Sequence, residues 1–433
     1  MDLQLDAAAF AARMALFAPF EQRPLLAVAV SGGRDSLCLA LLASQWASER
    51  GGRIIALTVD HGLRAEARAE AEQVETWLAE RAIETRILTW RTLAPPVTAI
   101  QATARAARYR LLSDCCAGLG ILHLLVAHQA DDQAETFVQR LLRDSGIEGL
   151  AGMAACVELP ALRLLRPLLD VPRSVVTSAL QGFAQDWIDD PSNRSEAYER
   201  GRLRAAGLPI AAEQARLASA ALGRLRGTLE ERVNRLLAEI ADVHPLGAVT
   251  LEPVLSKLPA RLAMAIVSRA VVTAGGRNYP PRSARLRRLV AGMRQKEASD
   301  AGYASRDATL AGCRILWRQH RWVVCRDPAA IRTPQVSDET GQSWDGRFQL
   351  PTSVRAAPFG LAGWARHRES LMERYPGPGL AVIAQGLPGP AVAPVAGDAS
   401  EKDLTLPPFK PVRPLVPAPF FPCFADATRQ MLV

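Results

Sequence analysis

The sequence predicts an α/β fold. A twisted parallel sheet with helices on both faces is followed by a helical connector domain and a small loop-rich C-terminal domain. Three observations predict it. Short apolar runs alternate with longer amphipathic stretches from about residue 22 to 190, the pattern of repeated strand–helix units. Between Ala211 and Ile240, Leu222, Leu225, Leu229, Val233, Leu236, Leu237 and Ile240 recur at three- and four-residue spacing, which predicts one amphipathic helix. Half of the chain's 30 prolines then fall in the last hundred residues, where proline disfavours long regular elements.

In chain order, the candidate strands are Leu25–Val30, Ile54–Val59, Arg86–Trp90, His123–Ala127 and Leu162–Leu165. Each is a short apolar run of the kind that a sheet covered on both faces buries. Helical stretches are expected over about 35–49, 65–82, 99–118, 130–144 and 172–184. Residues 261–296 carry nine Arg or Lys and no acidic residue, beside Tyr279; this reads as a surface for a nucleic-acid backbone. Beyond Pro334 the one helical period lies at about Trp364–Tyr375, and Leu387–Ser400 is expected to be a mobile loop. The expected division is 1–208 for the α/β domain, 209–333 for the helical, basic connector and 334–433 for the Pro-rich domain.

Composition bounds the function. At 433 residues and 49% hydrophobic content the chain supports two or three cores. Its apolar runs are too short to span a bilayer. The N-terminus, with Asp2 and Asp6, lacks the pattern of a signal peptide, so a cytoplasmic protein without a membrane partner is expected. Seven scattered cysteines form no Cys-x-x-Cys pair, which argues against a disulfide framework or a zinc ribbon. A net charge of +8 suggests a polyanionic partner.

Five motifs carry chemistry. Ser31-Gly32-Gly33 turn the chain after the first strand, and Arg34, Asp35 and Ser36 open a helix. Adjacent glycines let the backbone take φ > 0 and approach a ligand. The first-turn N–H groups, the helix dipole and the hydroxyls of Ser31 and Ser36 then make an anion site suited to phosphate. Neither a Walker loop nor a dinucleotide fingerprint is present. The second motif, Val59-Asp60-His61-Gly62-Leu63-Arg64, ends the second strand; its acid reads either as a contact to ribose or adenine or as a strand-end cap. In the third, Arg105 and Arg108 are i, i+3 neighbours, able to grip a phosphate and a carboxylate, or simply forming a solvated basic face. The fourth, Ala127 to Thr136, gathers His128, Asp131, Asp132 and Glu135 at a strand end. So many titratable groups point to a cation, either Mg²⁺ or an ammonium substrate, while a helix start alone explains only the two aspartates. The last, Trp187-Ile188-Asp189-Asp190-Pro191-Ser192-Asn193, is a turn by its chemistry.

Ser-Gly-Gly-x-Asp-Ser after a buried strand resembles the PP-loop of the N-type ATP pyrophosphatases. The ordered set of Ser31–Ser36, Val59–Arg64, Ala104–Tyr109, Ala127–Thr136 and Trp187–Asn193 resembles the tRNA(Ile)-lysidine synthase family, over Leu25–Arg204. The resemblance implies a Rossmann-like PP-loop catalytic domain over 1–208, with ATP and Mg²⁺ as cofactors. It implies L-lysine and a CAU-anticodon tRNA(Ile) as partners. The reaction it implies joins lysine to C2 of the wobble cytidine through an O-adenylated intermediate, releasing AMP and diphosphate. The lysidine formed switches the tRNA from methionine to isoleucine specificity. By the same resemblance Asp35, Arg108, Asp132 and Glu135 orient lysine and the reacting groups. Ser31, Gly32, Gly33, Arg34, Asp35, Ser36, Asp60, His61 and His128 hold the nucleotide, and Asp131 and Asp132 are the candidates for Mg²⁺. The alternatives are a tRNA cytidine or uridine thiolase, which commonly brings a Cys-x-x-Cys pair, and a non-enzymatic nucleic-acid binder.

Overall fold

The computed structural model describes residues 4–390 except 61, 63–66, 91–99, 144, 160, 190–201, 203–206, 208–209, 278, 299–306, 332–334, 337–342, 350–354 and 386. The described residues form two compact units that divide between Thr228 and Leu229.

The first unit is built on six strands: β1 Leu25–Ala29, β2 Arg53–Asp60, β3 Glu84–Thr89, β4 His123–Leu125, β5 Cys156–Glu158 and β6 Arg163–Leu165. Their order is β3-β2-β1-β4-β6-β5. All neighbours are parallel except β5, which runs antiparallel to β6 at the edge. That edge strand has no counterpart in the sequence reading, because it buries only Cys156 and so carries no apolar run.

The helices are α1 Ala7–Ala15, α2 Arg34–Ser48, α3 Ala67–Ala79, α4 Ile100–Gly118, α5 Ala130–Leu142, the single turn α6 Ile147–Leu150 and α7 Arg173–Gly182. Side chains alternate across the central strands, as strand geometry requires. Leu26, Val28 and Ile54 pack on one face with residues of α1, α2 and α7, whereas Ala27, Ile55 and Leu57 pack on the other with Leu112 and Cys116 of α4. Helix α1 is also new. Asp6 caps it by accepting from Ala9 N at 2.8 Å, and Phe10, Met14 and the following Phe17 are fully buried. Arg13 pins it through a buried 2.7 Å ion pair with Asp170, 157 residues away.

A long helix, α8 Ala212–Ile240, follows. In the first unit its Ala215 and Leu222 pack with Ala134, Phe137 and Val138 of α5. In the second unit its Val233 and Leu237 join another core. That unit is organised by an antiparallel sheet of β7 Ala241–Val243, β8 Val249–Leu251, β9 Ala308–Leu310, β10 Cys313–Arg318 and β11 Arg321–Arg326, in the order β7-β8-β11-β10-β9.

One face of this sheet, including Val249, Ile315 and Val324, packs on α9 Ala260–Gly275 and α10 Ser283–Ala298. The opposite face, including Leu316, Val323 and Cys325, packs with Trp344, Phe348 and residues of α11 Gly360–Arg374 and α12 Leu380–Gln385. One sheet thus serves residues on both sides of position 334. At the start of the expected mobile loop, Pro388–Pro390 pairs as a strand with Arg355–Pro358; its remainder, 391–400, lies outside the described residues.

The basic run is not one surface. Arg269 is a partner of Asn234 and Glu230, Arg277 donates to Ala311 O at 2.8 Å, and Arg294 donates to Ser256 O at 3.3 Å. Arg282, Arg285, Arg287 and Arg288 are exposed around α10, whose Leu286, Val290 and Met293 are buried. Among the described residues no helix is long and apolar enough to cross a membrane.

Candidate active site

Strands β1 and β4 are neighbours, but the chain runs outward from β1 through β2 to β3 before it returns to β4. This is a topological switch point, and in open α/β sheets the crevice beyond the strands' carboxyl ends there binds ligands. Ser31–Ser36 follows β1, and His128 to Glu135 follows β4 into α5. The two segments with the densest chemistry therefore share one crevice.

In the loop, Gly32 has φ +80°, but Gly33 does not share this conformation: it is the N-cap of α2, with φ −73° and ψ 157°. Left-handed geometry is thus needed at one glycine, not two. A Cβ on Gly32 would lie 2.8 Å from Ile188 Cδ1 and 2.9 Å from Val74 Cγ2, whereas one on Gly33 would meet only Ser31 Oγ, at 3.7 Å. Ser36 fastens the turn. Its Oγ accepts from Ser31 N at 3.1 Å, donates to Gly33 O at 2.8 Å and lies 3.3 Å from Ser31 Oγ. No side chain caps the N-terminus of α2, which leaves its first turn suited to an anion.

Asp35, on the first turn of α2, is half-buried, and its Oδ1 is buried without a hydrogen-bond partner. Burial raises its carboxyl to about 6; Arg173 opposes that rise, Asp132 adds to it, Arg34 opposes it and Asp131 adds to it. Side chains from α2, α5 and α7 therefore share one electrostatic cluster.

The α5 start is built by reciprocal capping. Gln129 Oε1 accepts from Asp131 N at 2.6 Å, and Asp132 Oδ2 accepts from Gln129 N at 3.1 Å. Asp131 Oδ2 accepts the Arg173 backbone N–H at 3.0 Å, which ties α5 to α7. Glu135 is buried, at 4% exposure. Asp60 Oδ1 accepts from Gly62 N at 2.9 Å, the geometry of a strand-end cap; His61 lies outside the described residues. Arg108 is exposed on α4. Arg105 turns to Tyr109, donating to its hydroxyl at 3.4 Å with the guanidinium 5.1 Å from the ring centre.

Two features escaped the sequence reading. His128 is held from β6: its Nδ1 accepts from Nε of the buried Arg166 at 3.2 Å. Among the described residues, no three His, Cys, Asp or Glu side chains form a metal-holding group. The Trp187 turn docks on the PP-loop: Ile188 N donates to Gly32 O at 2.9 Å. Asp189 lies 3.8 Å from the Arg34 guanidinium and accepts from Trp187 Nε1 at 3.2 Å. Asp190 to Asn193 lie outside the described residues. Arg166, in Leu-Leu-Arg-Pro-Leu, is a charged residue at the end of a buried strand, and that is the one signal that could have found it.

A family model described as a PP-loop domain matches residues 7–210. The tRNA(Ile)-lysidine synthase of Bradyrhizobium diazoefficiens is 38% identical over 341 residues, 73% of this chain and 94% of that one. The chain belongs to the tRNA(Ile)-lysidine synthase family. The tRNA(Ile)-lysidine synthase of Mesorhizobium japonicum is 34% identical over 358 residues, 78% of this chain and 76% of that one. That of Rhodopseudomonas palustris is 46% identical over 200 residues, 46% of this chain and 58% of that one.

Proposed function

We propose that this chain is an ATP-dependent ligase that joins L-lysine to C2 of the wobble cytidine of a CAU-anticodon tRNA(Ile). The observation that carries the reading is the pairing, at one switch point, of a phosphate-sized backbone cradle with the Asp35–Asp131–Asp132 cluster, in a member of this family. The cytidine C2 oxygen is a poor leaving group. It attacks the α-phosphorus of ATP, the bond to the β-phosphate oxygen breaks, and diphosphate departs into the cradle at Ser31–Ser36. The lysine ε-amine then adds at C2, the C2–O bond breaks, and the oxygen leaves on AMP.

The residues divide the work by charge. Free lysine carries one carboxylate and two ammonium groups, so Arg108 suits the first, and buried Glu135 with Asp132 suits an ammonium. One acid of the cluster can accept the proton that the attacking amine loses. Arg34, at the lip of the cradle, suits the departing phosphates.

Asp35 with its partnerless Oδ1, beside Asp132, fits Mg²⁺, which takes one or two carboxylates together with phosphate oxygens. Asp131 and Asp132 each use Oδ2 to accept a backbone N–H, from Arg173 and Gln129 respectively, so this geometry does not set one above the other as a ligand. When bound, the ion would neutralise charge on the phosphates. Exposed Arg282, Arg285, Arg287 and Arg288 suit a tRNA backbone. The proposed setting is the cytoplasm, where ATP and tRNA meet.

The thiolase alternative needs a reactive thiolate. Burial instead pushes Cys38, Cys116, Cys313 and Cys325 up to about 12 and raises Cys115 and Cys156 as well, which makes these thiols poor nucleophiles. The test is release of AMP and diphosphate with one tRNA(Ile) transcript, with and without lysine. Lysine-dependent AMP that scales with lysine incorporated into tRNA is expected. AMP release that requires a sulfur donor instead overturns the reading.

A further inference from the structure

Arg166 follows β6 directly, and its environment holds it in one orientation. It is 7% exposed. Its backbone N–H donates to Ala155 O at 2.8 Å, and its Nη1 donates to Ala154 O at 2.7 Å. It also interacts electrostatically with Tyr109, whose hydroxyl accepts from Arg105. The remaining direction, along Nε, meets His128 Nδ1 at 3.2 Å. One residue upstream of Ala127, Val126 N donates to Leu165 O at 2.9 Å, and two downstream of His128, Ala130 N donates to Val171 O at 3.0 Å. Both ends of the His128 segment are therefore fastened to the chain that carries Arg166.

A guanidinium has donors only. The ring nitrogen that faces it must present a lone pair, and a neutral imidazole with its lone pair on Nδ1 carries the proton on Nε2. A doubly protonated ring would set donor against donor and place two cations together in a half-buried site. We propose that Arg166 is a positioning residue that locks His128 neutral and Nε2-protonated, as a fixed hydrogen-bond donor to an oxygen of bound ATP. The donor role rests on the nucleotide reading above; the lock itself does not. Such a donor lies beyond β4, the neighbour of the strand that leads into the PP-loop, and can stabilise negative charge without moving a proton. Chemistry explains why arginine serves here: a lysine ammonium, a point charge on a flexible stem, cannot donate from two rigidly spaced nitrogens to Ala154 O and His128 Nδ1.

The test begins with the full-length protein, selectively ¹⁵N-labelled at histidine and free of substrates, with His128 assigned from the His128→Gln spectrum. Wild type is expected to show an acceptor-type Nδ1 and a protonated Nε2 across neutral pH. Arg166→Met is expected to show exchange between tautomers and titration near the ordinary histidine value of about 6.5. A proton on Nδ1 in wild type, or an unchanged Arg166→Met spectrum, overturns the lock. These spectra need neither lysine nor tRNA, so their outcome is independent of the ligase reading.

Should Arg166→Met not fold, a second pair leaves Arg166 in place. The His128→Gln amide reaches the Nε2 position, whereas the His128→Asn amide reaches only the Nδ1 position. The KM for ATP in diphosphate release is expected to rise about tenfold more in His128→Asn than in His128→Gln, a difference of about 1.4 kcal/mol. Equal effects, or an unchanged KM in His128→Asn, overturn the donor role.

Discussion

Exchanging each loop glycine for alanine separates the two physical demands on the PP-loop. At Gly32 the backbone has φ +80°, a conformation that costs an L-residue about 1–2 kcal/mol. The new Cβ would also stand 2.8 Å from Ile188 Cδ1 and 2.9 Å from Val74 Cγ2. Overpacking costs about 1–3 kcal/mol, with the lower end expected here because both neighbours are side-chain tips that can turn. Gly32→Ala should therefore lose about 2–4 kcal/mol. At about 2–4 °C per kcal/mol for a unit of this size, Tm falls by roughly 4–16 °C.

Gly33→Ala is different. Its φ of −73° suits alanine, and only Ser31 Oγ, at 3.7 Å, is near the added methyl. Alanine is a poorer N-cap than glycine by a few tenths to about 1 kcal/mol. The reduced freedom of its unfolded chain offsets about 0.4–1 kcal/mol of that. Stability should stay within about 1 kcal/mol of wild type. The methyl nevertheless enters the space assigned to diphosphate, so the KM for ATP should rise at least about tenfold, or about 1.4 kcal/mol of lost binding. Thermal melts and diphosphate release on the two variants form the assay. Full ATP turnover with a normal KM in Gly33→Ala refutes the cradle; an unshifted Tm in Gly32→Ala refutes the backbone argument.

Further outcomes are expected elsewhere. Because the folded-state Asp35 carboxyl titrates at about 6 rather than 3.8, its ionised form is disfavoured by folding, and native stability falls as pH rises through that window. Asp35→Asn should therefore melt higher than wild type above pH 6 and alike below pH 3.8, while losing diphosphate release; a lower melting point at neutral pH would contradict the sign. Arg13→Met removes one member of the buried ion pair with Asp170 and should cost about 3–5 kcal/mol in chemical denaturation; a loss under about 1 kcal/mol would contradict it. Glu135→Gln should raise the KM for lysine and leave that for ATP nearly unchanged, the reverse result assigning the residue to the nucleotide's metal. Replacing Arg285, Arg287 and Arg288 should weaken tRNA binding and flatten its log–log salt dependence by roughly 0.7–0.9 per lost contact; an unaltered slope would mark them as a solvated face.

Much of this molecule was legible before any coordinate. Apolar runs located the five parallel strands to within a few residues; β1, β2, β4 and β6 are largely buried and have little choice of residue, whereas β3, at the sheet edge, has no fully buried residue. Leucine spacing anticipated the long helix over Ala212–Ile240. Ser31–Ser36 announced a tight turn into a helix because such a turn is a local event, written in consecutive residues. The edge strand β5 buries only Cys156 and so carries no apolar run. Helix α1 had the opposite fault: its alanines mask the few side chains that hold it, and the partner of Arg13 stands 157 residues away.

The alternation of elements and the strand-end position of the motifs are both written in the sequence. Tertiary structure decided who meets whom. It assigned left-handed backbone to Gly32 alone, set Ile188 and Asp189 on the PP-loop, and turned His128 towards Arg166. It also sorted the basic run into structural and exposed arginines. The physical reason is range. Periodicity and turn chemistry act between neighbours a few residues apart, whereas a buried guanidinium finds its acceptors only once distant strands have paired and fixed their directions.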